Sequence, residues 1–356
     1  MQSSTGFHIF LDSGPPGGSA DYTTIVIIHG LGWHSGVFTK LIPLAHAHNA
    51  RVVLVNRRDY RGAAPYSLAE RTHLFTTAAE ALTDGTAACP KVVSIMKEEA
   101  IDVSRLLTHF ISDNRVPLAR PHANSGGIVL VGWSLGTAWM TALLAHGAPR
   151  HANAVDLTEY VRRIVFYDPP HLALGFSPPE GVYFPFVNPA IPPEDLVEAF
   201  CVWVTGVVTH GETCTADTLD LGEPPASLPS TFRNLTAEER CSVVDPVPAD
   251  PRGGSDTTLM NAALFSGAFA VLREEALRVR APGDGLGGWD AVEVRHVWCD
   301  ASPWPMPWAA TCLREDVAGK RKAGGSVRDL AFTRLRGANH LAHWEEPGRV
   351  LQAFLE

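Results

Sequence analysis

The sequence predicts an α/β fold in which a doubly wound, mostly parallel sheet carries an inserted, mainly helical cap. Short runs of β-branched and other apolar residues recur along the chain and alternate with segments of helical periodicity. Several of these runs are continuously apolar, as expected of parallel strands that are buried on both faces. Between residues 171 and 289 the alternation breaks down, and proline-rich and helix-like segments replace it.

The core elements follow one another in chain order. The predicted strands cover residues 7–11, 25–28, 52–55, 128–131, 163–167, 292–298 and 330–335. The predicted helices cover residues 38–48, 92–111, 137–146 and 347–355. In the longest of these helices the apolar positions recur at helical spacing, and charged residues occupy the opposite face. We assign residues 1–170 and 290–356 to one core domain.

The segment between the two parts of the core has a different character. Residues 169–193 are rich in proline and aromatic side chains, and helix-like stretches follow at 193–208, 236–244 and 256–281. Glycines between 283 and 288 mark the return to the core. We therefore predict that residues 171–289 form a helical cap inserted into the core.

Composition and charge exclude several classes of function. The chain has 356 residues, 46% of them hydrophobic, and a formal net charge of -9. This negative charge argues against nucleic acid or an anionic membrane surface as a partner, and no apolar run is long enough to span a bilayer. Residues 1–18 lack the basic start and apolar core of a secretion signal, so we expect an intracellular, cytoplasmic protein. The sequence carries no signal for oligomeric state.

The most informative motif is the pentapeptide Gly132-Trp133-Ser134-Leu135-Gly136. It follows a predicted strand and precedes a predicted helix, which is the context in which a G-x-S-x-G pattern indicates a nucleophile. On such a tight turn the serine adopts a strained backbone conformation, and its hydroxyl stands above the end of the sheet. We predict that Ser134 is a nucleophile.

A serine hydroxyl needs a histidine base, and the loop after the last predicted strand offers two. His340 directly follows a glycine turn, from which an imidazole can reach Ser134. His343 lies closer to the last helix, where a packing role is expected. Both come after the serine in chain order, as this motif requires. We predict His340 as the base.

The acid that orients the histidine has two candidates. Asp168 directly follows strand 163–167 and precedes two prolines, whereas Asp300 follows strand 292–298. Either strand end can deliver a carboxylate to the histidine. We favour Asp168, which the prolines hold rigidly, and retain Asp300 as the alternative.

Acyl transfer also needs backbone N–H groups that stabilise the developing negative oxygen. Leu135, the residue after the nucleophile, supplies one of them. The second is expected from Leu31 in the loop His29-Gly30-Leu31-Gly32. The glycines of this loop let the backbone approach a substrate closely, so Gly30 and Gly32 are also predicted to line the substrate pocket.

Aromatic side chains near these motifs are predicted to make the pocket apolar. Trp133 precedes the nucleophile, and Trp304 lies in a stiff, proline-rich loop after a predicted strand. Aromatic residues of the predicted cap suggest a hydrophobic entrance, namely Phe176, Tyr183, Phe184, Phe186, Phe200 and Trp203. No group of residues has metal-ligand spacing, and we expect neither a metal nor another cofactor.

Together these motifs resemble those of the α/β-hydrolase superfamily. The resemblance covers the predicted core and rests on four stretches: His29-Gly30, the turn at 59–62, the Ser134 motif and the His340 loop. Many members carry their acid at the position of Ser302, and others carry it after the preceding strand, where Asp168 stands. Relatives that open epoxides or remove halides use an aspartate in place of Ser134, so the resemblance argues against both activities.

The resemblance and the residues together imply a hydrolase with a serine nucleophile and a catalytic triad. We expect it to cleave a small carboxylic ester or lactone with apolar groups through an acyl-enzyme intermediate. Two alternatives remain open: a C–C bond hydrolase or lyase that uses the same triad, and a ligand-binding receptor with residual hydrolysis.

Overall fold

The computed structural model describes residues 5–147, 155–279 and 289–356. Within these ranges the chain forms a sheet of seven strands. The strands are β1 (His8–Asp12), β2 (Thr23–Ile28), β3 (Ala50–Asn56), β4 (Ile128–Trp133), β5 (Val161–Tyr167), β6 (Glu293–Cys299) and β7 (Leu330–Leu335). They lie in the order β1-β3-β2-β4-β5-β6-β7, with β1 antiparallel to β3 and all other neighbours parallel. The predicted mostly parallel sheet is confirmed.

The central strands form because their side chains suit a sheet that is covered on both faces. Every residue of β2, β3, β4 and β5 is buried. Their runs of valine, isoleucine and leucine pack well on a pleated surface and bury apolar area from both sides. Because parallel strands end at the same edge of a sheet, the loops after β2, β4, β5, β6 and β7 meet at that edge.

Helices flank this sheet. They are α1 (Leu68–Ala81), α2 (Gly85–Asn114), α3 (Thr137–His146), α4 (Leu196–Val204), α5 (Thr231–Asn234), α6 (Ala237–Val243), α7 (Ser255–Ser266), α8 (Ala268–Leu277), α9 (Pro305–Lys322), α10 (Ala342–Glu345) and α11 (Pro347–Leu355). Short 3₁₀ helices occupy Ser35–Leu44, His46–His48, Pro121–Ala123, Ser134–Gly136, Leu157–Glu159, His171–Leu174, Pro185–Val187, Val247–Ala249 and Trp289–Ala291. Helix α3 contacts α2 and α8, whereas α11 contacts β4 and the first 3₁₀ helix.

Two predicted helices differ from the structure because of single residues. The segment 38–48 forms 3₁₀ helices instead of one α-helix, and Pro43 lies inside the first of them. A proline lacks the N–H that an α-helix interior needs. The segment 256–281 is interrupted at Gly267, whose φ of 73° ends α7 in the left-handed conformation.

The segment around Trp304 is the start of a helix instead of a stiff loop. Trp304 caps α9, and Pro305 and Pro307 lie in its first turn. The prolines are tolerated there because N–H groups in the first turn have no partner within the helix.

The segment predicted as a cap contains helices α4 to α8. Two of them, α7 and α8, pack against α1, α2 and α3. The division of the chain at residues 171 and 289 stays a prediction, and the glycine-rich return at 283–288 lies outside the described residues. In the part of the chain that the structure describes, no helix is long and apolar enough to cross a membrane.

Candidate active site

Ser134 occupies a tight turn between β4 and α3. Its φ of 55° lies in the left-handed region, which is strained for a residue with a side chain. A Cβ atom on Gly132 would lie 2.6 Å from the carbonyl oxygen of Gly136, and one on Gly136 would lie 2.6 Å from that of His29. Both glycines of the motif are therefore required by close backbone approach.

Asp168, the residue directly after β5, contacts His340. Nδ1 of His340 lies 2.7 Å from Oδ2 of Asp168, and both side chains are buried. The same carboxylate oxygen accepts a hydrogen bond from the Ser302 hydroxyl at 2.7 Å. Oδ1 accepts one from the backbone N–H of Cys299 at 2.8 Å. These three donors compensate for the burial of the charge and fix the orientation of the carboxylate.

Asp300, the alternative acid, faces a different set of groups. Its Oδ2 accepts a hydrogen bond from Nε of Arg334 at 2.8 Å, and its Oδ1 accepts one from the backbone N–H of Gly337 at 2.5 Å. These contacts connect the end of β6 to β7 and to the turn that follows it. Of the two predicted acids, the structure brings Asp168 to His340.

The imidazole of His340 lies beside the turn that carries Ser134. Its ring stacks on the indole of Trp133, with 4.7 Å between the ring centroids, and Trp133 directly precedes Ser134. Since Nδ1 donates to the Asp168 carboxylate, the neutral ring has Nε2 as its acceptor. An imidazole held in this tautomer can take a proton from a hydroxyl.

His343, the competing base, packs in a closed environment. Its ring stacks on Phe38 with 4.1 Å between centroids, and its Nδ1 lies 3.2 Å from the Tyr167 hydroxyl. Burial, reinforced by the nearby His340, holds the pKa of His343 well below its ordinary value. His343 is therefore a neutral packing residue, and it does not share the carboxylate of Asp168.

The loop after β2 passes directly against Ser134. A Cβ atom on Gly30 would lie 2.7 Å from Cβ and 3.1 Å from Oγ of Ser134, so only glycine fits there. The next residue, Leu31, lines one cavity together with Ser134 and Leu135. Within the described residues, the backbone N–H of Leu31 donates to no protein acceptor, so it is available to a bound oxygen.

The cavity beside Ser134 is narrow and apolar. The cavity is small, with a volume of about 30 Å³. It is lined by Leu31, Ser134, Leu135, Pro170, Leu172, Phe184, Phe200, Trp203, Val204, Met260, Pro305 and Met306. Ser134 is the only one of these side chains that carries an oxygen atom. Apart from the Ser134 hydroxyl and the indole N–H of Trp203, the side chains of the wall offer no hydrogen-bonding group, so the cavity favours an apolar group.

The two glycines predicted to line the substrate pocket do not line this cavity. Gly30 is covered by Ser134. The N–H of Gly32 donates to the hydroxyl of Tyr60 at 3.0 Å, which turns this part of the loop toward the interior of the protein. The glycines therefore shape the loop, whereas the side chain of Leu31 forms the wall.

The two tryptophans predicted to line the pocket are also elsewhere. Trp133 is fully buried and packs against His340 and other rings. Trp304 donates its indole N–H to the carbonyl oxygen of Tyr183 at 2.9 Å, and it packs against His171. Their positions next to the motifs made them candidates, but the strand pleat and helix α9 direct their rings into the core. Three aromatic residues of the predicted cap, Phe184, Phe200 and Trp203, form part of the wall instead.

Sequence comparison identifies the family of the chain. A model of the Alpha/beta hydrolase family matches residues 25–353. The chain belongs to this family. The match includes the turn of Ser134, the end of β5 with Asp168 and the loop of His340.

Solved structures of this fold class resemble the chain over most of its length. A peroxisomal alpha/beta-hydrolase from Saccharomyces cerevisiae is 13% identical, covering 95% of this chain and 76% of that chain, with a TM-score of 0.44. An esterase from Thermogutta terrifontis is 14% identical, covering 98% and 90%, with a TM-score of 0.44. An epoxide hydrolase from an endophytic Streptomyces is 12% identical, covering 100% and 92%, with a TM-score of 0.46. Comparison with curated protein sequences found no match.

Sequence reasoning missed several residues of this α/β-hydrolase site. Ser302 was noted only as the position where many relatives carry an acid, and it donates to the acid that is present. Met260 and Leu172 gave no motif signal, because single apolar residues in a cap or after a strand are common.

Proposed function

We propose that this α/β-hydrolase cleaves a carboxylic ester or lactone with apolar groups through an acyl-enzyme intermediate on Ser134. The arrangement of His340 carries the proposal. Its Nδ1 is engaged by Asp168 at 2.7 Å, and its ring packs on the residue that precedes Ser134. This leaves Nε2 as the acceptor for the serine proton.

The first half of the reaction forms the acyl-enzyme. Ser134 attacks the ester carbonyl while His340 takes its proton, and the Asp168 carboxylate stabilises the imidazolium that forms. The N–H groups of Leu31 and Leu135 donate to the oxyanion of the tetrahedral intermediate. His340 then returns the proton to the departing alkoxide. In the second half, water repeats the attack with His340 again as base.

The cavity supports the choice of substrate. Its side chains are apolar apart from the Ser134 hydroxyl and the indole N–H of Trp203, so it favours an apolar acyl or alcohol group that can be desolvated without cost. A serine at the nucleophile turn argues against epoxide opening and dehalogenation, for which relatives use an aspartate at this position.

The test is hydrolysis of a p-nitrophenyl ester series from acetate to decanoate. The proteins compared are the wild type, Ser134→Ala and Ser112→Ala, the last as a control at an exposed serine of α2. We expect activity in the wild type and in the control, a preference for acyl chains of limited length, and loss of activity in Ser134→Ala. Equal activity in all three proteins would contradict the proposal.

Two further substrates separate the alternatives. Cleavage of a β-diketone without cleavage of esters or lactones would indicate a C–C bond hydrolase. An apolar ligand that raises the melting temperature without being turned over would indicate a receptor.

A further inference from the structure

A buried cluster outside the triad holds the loop that approaches Ser134. It consists of Arg57 and Tyr60 in the turn after β3 and Asp256 in the first turn of α7, each at most 2% exposed. Nη1 and Nη2 of Arg57 lie 2.7 and 2.5 Å from the two carboxylate oxygens of Asp256. The Tyr60 hydroxyl donates to Oδ2 of Asp256 at 2.5 Å and accepts the N–H of Gly32 at 3.0 Å.

The guanidinium of Arg57 is also bound to the backbone of this loop. Its Nη2 donates to the carbonyl oxygen of Gly30 at 2.8 Å, and its Nε donates to the carbonyl oxygen of His29 at 3.1 Å. The backbone N–H of Arg57 donates to Nε2 of His29 at 3.1 Å, so the ring proton of His29 is on Nδ1. That Nδ1 lies 3.0 Å from the same Gly30 oxygen. The Gly30 carbonyl thus accepts two hydrogen bonds, one of them from a cation.

The Gly30 carbonyl and the Leu31 N–H belong to one planar peptide group. In a trans peptide these two groups point in opposite directions, and the described residues contain no cis peptide bond. Fixing the carbonyl oxygen on Arg57 therefore fixes the direction of the Leu31 N–H. A cation hydrogen-bonded to an amide oxygen also polarises the amide and makes its N–H a stronger donor.

Arg57 keeps its charge in this buried position. Burial by itself would lower the pKa of Arg57, but the attraction of Asp256 and Tyr60 outweighs it and leaves the pKa above its ordinary value. Removing both charges from water costs free energy, so a buried ion pair contributes little to stability by itself. An apolar pair in its place, however, could not hydrogen-bond the loop backbone as Arg57 does.

We propose that Arg57, anchored by Asp256 and Tyr60, is a positioning residue that orients and polarises the Leu31 N–H at the oxyanion site. The inference rests on the proposed function, because it assigns Leu31 the role of an oxyanion donor.

Helix α7 also connects the cavity to this donor. Met260 lies one helical turn after Asp256 on α7 and forms part of the cavity wall. The helix that anchors Arg57 therefore also contacts the bound acyl or alcohol group.

The test compares Arg57→Lys with Arg163→Lys. Arg163 is an equally buried arginine that binds a carboxylate, Glu293, and a carbonyl oxygen, that of Phe354, at 2.8 Å each. It lies near the amino end of β5, away from the loop edge of the sheet. The lysine keeps the charge in both variants but loses the paired donors. Measured quantities are kcat and KM for p-nitrophenyl butyrate and the dissociation constant of phenylboronic acid, which forms a tetrahedral anionic adduct with an active serine.

In Arg57→Lys we expect kcat to fall about 10- to 100-fold with KM nearly unchanged, less than the full loss of an oxyanion donor. Boronic acid binding should weaken by the same factor. The pH profile of kcat/KM should keep its wild-type midpoint, because His340 and Asp168 are not altered. Arg163→Lys should match the wild type in both measurements. An Arg57→Lys protein with the kinetics of Arg163→Lys would overturn the inference.

Tyr60→Phe is the control for misfolding, because it keeps the ion pair of Arg57 and Asp256. It removes only the hydroxyl that accepts the N–H of Gly32 and donates to Asp256. We expect kcat and boronic acid affinity to fall in parallel, and a fall in melting temperature without such a parallel loss would overturn the inference. The outcome also separates this inference from the proposed function. A wild type that binds boronic acid but hydrolyses no ester would refute the function alone, provided that Arg57→Lys weakens the binding. A wild type that does neither would refute both.

Discussion

Replacing the acid that contacts His340 is the sharpest perturbation of the candidate site. In Asp168→Asn the side chain keeps its size, but one of its two oxygens becomes an NH2 group. If the NH2 group faces His340, Nδ1 must accept instead of donate, and the proton moves to Nε2. An imidazole protonated at Nε2 cannot take the proton of Ser134.

The structure also opposes the other orientation of the amide. An NH2 group turned toward Cys299 would face the backbone N–H that now donates to Oδ1 at 2.8 Å, which places two donors against each other. The remaining oxygen would keep Ser302 and His340, as Oδ2 does in the wild type, so the clash with the Cys299 N–H is what opposes this orientation. Loss of the orienting acid in a serine triad costs about 10⁴ in kcat, or about 5.5 kcal/mol in the barrier. We expect a loss of this size in Asp168→Asn.

The matched control is Asp300→Asn. Asp300 binds Arg334 and Gly337, so its replacement should cost stability by about 1 to 3 kcal/mol and leave kcat within a few-fold of the wild type. The assay measures kcat and KM for p-nitrophenyl butyrate, with urea unfolding of each variant. A large loss of kcat in Asp300→Asn, with wild-type kcat in Asp168→Asn, would refute the assignment of the acid.

Three further predictions concern single residues. Gly30→Ala places a Cβ atom 2.7 Å from that of Ser134, so the rate of ester hydrolysis should fall by about 100-fold. The circular dichroism spectrum should remain that of the wild type, and wild-type turnover would contradict the prediction. Ser302→Ala removes a donor to Asp168 at 2.7 Å, and kcat should fall by about 10-fold; an unchanged kcat would show that this hydroxyl is dispensable. Burial, together with Arg314, lowers the pKa of His296 to about 3. The contribution of this side chain to stability is therefore complete above about pH 6.5, where it is also neutral in the unfolded chain, and it decreases as the pH falls. Between pH 7 and pH 5 the free energy of unfolding, measured in urea, should decrease by about 2 kcal/mol more in the wild type than in His296→Leu, and equal decreases would disprove the lowered pKa.

Parts of the fold and the site could be predicted because their signal is local. Strands β2 and β4 are continuous apolar runs, and their burial on both faces follows from that composition. Ser134 could be identified because a strand, two glycines and a helix surround it within a few residues. A Cβ atom on Gly132 would meet the carbonyl oxygen of Gly136, and one on Gly136 would meet that of His29, each at 2.6 Å. These contacts are visible only in the structure.

The remaining features depend on contacts between distant residues. Asp168 and Asp300 both follow a parallel strand and look equivalent in the sequence. Their difference arises from the Ser302 hydroxyl and the Cys299 N–H, which lie more than 130 residues from Asp168. Asp256 contacts Arg57 although the two residues are 199 positions apart in the sequence, and no local pattern around either residue predicts this ion pair.

The central claim is that Ser134 forms a covalent intermediate, and labelling by a p-nitrophenyl phosphonate tests it most directly. The reagent transfers its phosphonyl group to an activated serine and releases p-nitrophenolate, while peptide mass spectrometry locates the label. We predict one equivalent of p-nitrophenolate per chain, a label on the peptide that contains Ser134, and loss of ester hydrolysis in step with labelling. Ester hydrolysis that persists in fully labelled protein, or a label on another residue that accompanies inactivation, would contradict the account.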